Sequence, residues 1–139
     1  MIRNRSLFVS FASVVLCIML SGFFSENASA QPGITAKPLL KTTLSDDTSK
    51  EAIMASVEFA PGSVLNHHTH PGDEYAVVLQ GTLEISAEGR ETRRVSTGDV
   101  FHNPRGLIHQ ARNVGDTPVR LAVTFIVDKG KPFFQPVAK

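Results

Sequence analysis

The stretch GSVLNHHTHPGDEYAVVLQG, residues 62–81, sets His68 and His70 two positions apart and Glu74 four positions later, with Gly62 and Gly81 at its ends. A second stretch, GDVFHNPRGLIHQARN at residues 98–113, adds His109 behind a Pro104-x-Gly106 turn. On an extended strand His68 and His70 leave the same face, with Cα atoms about 6.5 Å apart. Ring nitrogens at that spacing can converge on one ion at roughly 2.1 Å. Pro71-Gly72-Asp73 turns the chain and returns Glu74 from the next strand, while His109 arrives from a distant one. Three neutral nitrogens and one carboxylate suit one divalent transition metal, whether Mn, Fe, Ni, Cu, Co or Zn, and suit Ca or Mg poorly.

Outward from these blocks the sequence reads as short strands. Ile53, Ala55, Val57 and Phe59 alternate on one face until Ala60-Pro61-Gly62 stops the run. Glu74–Gln80 forms a second apolar strand, and Thr82–Ala87 with Glu91–Ser96 flank a hairpin turn at Glu88-Gly89-Arg90. Val100–His102, His109–Val114 and Val119–Val127 complete the series, separated by Gly-, Pro- and Asp-rich turns. No segment keeps a helical period. Such spacing predicts an all-β sandwich or barrel in a single domain, residues 51–128. Residues 31–50 read as a polar N-terminal arm in which Leu39-Leu40 can form a short strand, and residues 129–139 as a loosely structured C-terminal tail.

Both blocks match the two motifs of the cupin superfamily without a spacing error: Gly62-x5-His68-x-His70-x3-Glu74-x6-Gly81 and Gly98-x5-Pro104-x-Gly106-x2-His109-x3-Asn113. The chain therefore resembles a small single-domain bacterial cupin, and the quercetinase-like group is the first resemblance to test. The resemblance implies a jelly-roll β-barrel and assigns His68, His70, Glu74 and His109 as metal ligands. It also implies an oxygenase-type activity in which Glu74 can leave the ion and act as a catalytic base. Only Thr82–Thr97 separate the two motifs, enough for one hairpin.

The first thirty residues read differently. Arg3 and Arg5 precede an apolar run from Leu7 to Phe24, and Ala28-Ser29-Ala30 offers a cleavage site. This is the pattern of a secretory signal peptide, residues 1–30. An uncleaved anchor is the alternative, since the run approaches a membrane-spanning length. Export places the protein in the periplasm or outside the cell. The one cysteine, Cys17, lies in this segment, so the remainder has neither disulfide nor thiolate chemistry. From Gln31 onward twelve Lys and Arg balance twelve Asp and Glu, which argues against nucleic-acid binding and against adhesion to an anionic membrane after cleavage.

Other residues carry smaller expectations. His67 should face away from His68, and Tyr75 away from Glu74, in a packing role. His102 has ambiguous parity, facing the core or a pocket wall. Gly62, Gly81, Gly98 and Gly106 are expected at positive φ or close backbone approach, and Asn113 at a strand end. Alternation puts Met54 or Val57, Phe59, Ala76, Val78, Ala111, Val123 and Phe125 on the inner wall, which suits a small aromatic or enolic oxygen donor. The competing function is a metal- or small-ligand-binding or sensory protein without turnover. The arm is the expected contact of a homodimer, by strand exchange. Ordinary imidazole ligands would release metal as pH falls through roughly 6 to 5.

Overall fold

A computed structural model describes residues 31–138, and the signal-peptide reading of residues 1–30 lies outside them. The strands are β1 (Ile34–Thr43), β2 (Lys50–Phe59), β3 (Val64–Thr69), β4 (Gly72–Gln80), β5 (Thr82–Ala87), β6 (Arg93–Ser96), β7 (Val100–Asn103), β8 (His109–Asn113), β9 (Val119–Asp128) and β10 (Gln135–Pro136). Two five-stranded sheets form, ordered β1-β2-β9-β4-β7 and β10-β3-β8-β5-β6. All pairs are antiparallel, and no α-helix occurs among the described residues. The fold is the all-β jelly roll that the motifs implied.

Period-two patterning decides which face goes inside. Ile53, Ala55, Val57 and Phe59 of β2 meet Val119, Leu121, Val123, Phe125 and Val127 of β9, and all are buried. Leu83, Ile85, Val95 and Ala111 close the core from the other sheet. Each such side chain, fully buried, contributes about 1.5–3 kcal/mol if large, and the described residues, which contain no cysteine, depend on that burial. Met54 points outward at 42% exposure, so Val57 is the inner-wall residue of that pair.

Two expectations need correction. The arm is a ten-residue strand, β1, paired along β2 from Ile34↔Phe59 to Thr43↔Glu51. Its signal was hidden because most of it is exposed on both faces, so no alternation marks it; the register shifts between Pro38 and Leu40, where proline cannot donate to the ladder. The tail, too, is docked: β10 pairs with β3 through Gln135↔Thr69 and Pro136↔His68, and Val137 N donates to His67 O at 2.9 Å.

Gly72 opens β4 where the chain crosses from one sheet to the other. A Cβ there would lie 1.9 Å from Ile126 O and 2.6 Å from Val127 Cα of β9. Only glycine allows β9 to approach this corner, and the corner delivers Glu74 to the interior.

Candidate metal centre

His68 ends the inward face of β3, and His70 follows at the corner before Pro71. His109 starts β8 directly opposite His68 in the ladder, while Glu74 lies on β4 in register with Phe125 of β9 and Asn103 of β7. The two sheets thus bring all four expected side chains together, and all four are buried, His68 at 1% exposure. One ring nitrogen from each of the three histidines lies within 4.8 Å of the others. Glu74 Oε2 is 3.2 Å from His109 Nε2 and 3.4 Å from His70 Nε2.

The proton positions follow from the partners. Nδ1 of His68 faces Asn66 O at 2.7 Å, Nδ1 of His109 faces Leu107 O at 2.9 Å, and Nδ1 of His70 faces Phe133 O. A carbonyl only accepts, so each Nδ1 carries the hydrogen, and a neutral ring then has a bare lone pair at Nε2. His70 Nε2 is accordingly buried with no hydrogen-bond partner. Lone pairs of the three rings and one carboxylate oxygen share a single space, an arrangement of acceptors that a cation at its centre would satisfy. The donor set fits a divalent transition metal, and the carbonyls that fix the rings are the usual support of metal-binding histidines.

Burial, followed by repulsion from His109, pushes the His68 ring down from 6.5 to about 3. This ring therefore stays neutral below the ordinary imidazole range. For Glu74, burial opposes the charged form. The His109 and His70 side chains beside it outweigh burial and hold the carboxyl well below its ordinary range.

Glu74 has one further partner that sequence reasoning missed. Asn103 Nδ2 donates to Glu74 Oε2 at 2.8 Å, and Asn103 is 3% exposed. Beside Pro104 it reads as a turn residue, and only the register of β7 on β4 reveals its inward side chain. Phe133 and Phe134 were also missed. Both line the cavity beside the histidines, and the Phe134 ring stacks on His68 with centroids 4.6 Å apart.

The cavity has a volume of about 280 Å³. Val57, Phe59, Ala111 and Val123 line it as expected, and Ile85, Phe101 and Leu121 join them. Ala76, Val78 and Phe125 belong to the buried core. His67 is not in the cluster. His102 points outward, accepting or donating at 2.9 Å to Asp73 Oδ1 and stacking on Tyr75 at 4.7 Å. Gly62, Gly81, Gly98 and Gly106 all have positive φ. Asn113 ties strand ends together, its Nδ2 donating to Phe59 O and Thr117 O.

A jelly-roll barrel with a buried histidine cluster defines the class, and comparison with known proteins agrees. Residues 55–127 match the family model described as cupin domain, and the chain belongs to the cupin superfamily. Germin-like protein 5-1 of Oryza sativa subsp. japonica is 43% identical over 77 residues, covering 52% of this chain and 35% of that protein. The chain thus spans about a third of the length of the curated relatives it matches. Among solved structures, recombinant oxalate oxidase in complex with glycolate superposes with a TM-score of 0.61 at 29% identity, over 76% of this chain and 56% of that one. KdgF from Halomonas sp. gives 0.58 at 28% identity, over 71% and 84%.

Proposed function

We propose that the chain is an exported, metal-dependent cupin enzyme of the oxygenase type, acting on a small enolic or aromatic oxygen donor. The observation that carries this reading is the convergence of three imidazoles, each fixed through Nδ1–H, and the Glu74 carboxylate beside an apolar cavity. His68, His70, Glu74 and His109 would hold one divalent transition metal. When bound, the ion supplies positive charge that makes a nearby enol or phenol more acidic.

The chain's own groups do the rest. Glu74 is the one carboxylate among the described residues lining the cavity, so it is the group able to take the substrate's proton. Asn103 holds it in place through Oε2. Val57, Phe59, Leu121 and Val123 keep water out, which strengthens every charge interaction at the site. A volume of about 280 Å³ lies at the low end of ligand pockets, roughly 300–1,000 Å³, and favours a small substrate. A second reading, a small carboxylate as substrate, draws support from the likeness to oxalate oxidase in complex with glycolate. The outer edge of β1 lies at the end of its sheet, with Leu39 and Leu40 exposed; it is the proposed contact of a homodimer.

The test is metal content by mass spectrometry on the exported protein, beside a His68→Ala/His109→Ala double variant. About one equivalent of metal per chain is expected in the first and none in the second, followed by oxygen consumption with phenolic, enolic and small-carboxylate substrates. Absence of metal together with failed reconstitution would remove the enzymatic reading. Bound metal without turnover of any substrate would favour a binding or sensory role.

A further inference from the structure

Past β9 the chain turns at Gly130, whose φ is +76°, and returns along the site. Lys131 N donates to Asp128 O at 3.2 Å, β10 pairs with β3, and Val137 N donates to His67 O at 2.9 Å. Between these anchors Phe133 packs against Phe125 with ring centroids 5.1 Å apart, and its carbonyl accepts from His70 Nδ1. Phe134 has a different position. Its ring lies over the His68 imidazole at an interplanar angle of 27°, half-buried, with its side chain on the cavity.

We propose that Phe134 is the specificity-determining residue of this site, setting the largest oxygen-donor ligand that can reach the His68–His70–His109 cluster. The inference rests on the metal-centre reading of that cluster. Three observations support it. The ring lies directly beside a histidine of the cluster, on the wall of the cavity. It projects from a segment beyond residues 55–127, the part that matches the family model. Phe134 is also absent from the buried core, whereas Phe133 packs against it. Truncating Phe134 therefore opens the cavity while the barrel and the carbonyl that orients His70 stay in place.

The experiment uses the full chain loaded with cobalt(II), whose visible spectrum reports ligand binding without turnover. Glycolate, catechol and 3-hydroxyflavone serve as bidentate oxygen donors of increasing size, titrated into wild type, Phe134→Leu and Phe134→Ala. Affinity for 3-hydroxyflavone should rise at least about tenfold in Phe134→Ala while that for glycolate changes by less than about twofold. Phe134→Leu should fall between, and it keeps the test available if the alanine variant fails to fold. Equal exclusion of 3-hydroxyflavone by all three proteins, or a parallel change for every probe, overturns the role of Phe134 while leaving the metal centre intact. Failure of wild type itself to retain cobalt, or to respond to any probe, overturns the metal-centre reading and this inference with it.

Discussion

Asn103→Leu isolates the support of Glu74. The hydrogen bond from Asn103 Nδ2 to Glu74 Oε2 is 2.8 Å long and both residues are buried. A bond to a charged group contributes about 1.5–3 kcal/mol. Leucine keeps the branched four-heavy-atom outline of asparagine but is bulkier, so Asn103→Ala is measured beside it, and a loss common to both variants reports the lost donor rather than overpacking. In the metal-free protein, urea unfolding should show a loss of about 1.5–3 kcal/mol. Loss of a group that supports a metal ligand also weakens metal binding about 10–100-fold, and at about 1.4 kcal/mol per tenfold this matches the first figure. Chelator competition measures it directly. A variant within about 0.5 kcal/mol of wild type, with unchanged metal affinity, would refute the reasoning and leave Asn103 a bystander.

Three other perturbations test the architecture. Gly72→Ala drives a Cβ into Ile126 O and Val127 Cα; overpacking costs about 1–3 kcal/mol, and backbone atoms cannot yield, so chemical unfolding should place it at the upper end or show no folded protein. The metal-free protein should lose stability as pH falls from 6.5 toward about 3, because the unfolded chain takes up a proton that the buried His68 ring refuses; urea unfolding across that range, with NMR of the ring, checks it, and a His68 titrating near 6.5 would contradict it. Hydrogen bonds from Arg105 and then Lys50 hold the Asp128 carboxyl well below its ordinary value. Its contribution is present in full above the unfolded value near 3.8 and disappears as pH falls through the lowered one. The gap in Tm between wild type and Asp128→Asn should therefore be open at neutral pH and close in strong acid.

Residues governed by local period were legible in the sequence. His68, Glu74 and His109 sit on strands whose alternation aims them inward, and the turn glycines announce their own φ. Asn103, Phe133 and β1 were not. Asn103 reaches Glu74 only because β7 lies beside β4, a pairing across 29 positions. Phe133 matters because a chain reversal carries its carbonyl to His70, which no periodicity encodes. Strand β1 gains its structure from the ladder it shares with β2, since its own side chains are mostly exposed.

The bond from His70 to Phe133 joins positions 63 residues apart. A ribosome delivers His68, His70 and Glu74 long before it delivers that acceptor. A nascent chain consequently owns the donors of the centre before it can aim all of them, and ordering the last ring waits on closure of a long loop, an entropic step that local contacts cannot replace. On the proposed metal-centre reading, capture of an ion by the fully oriented cluster is then a late event in maturation, because His70 is aimed only once the C-terminal strap has docked.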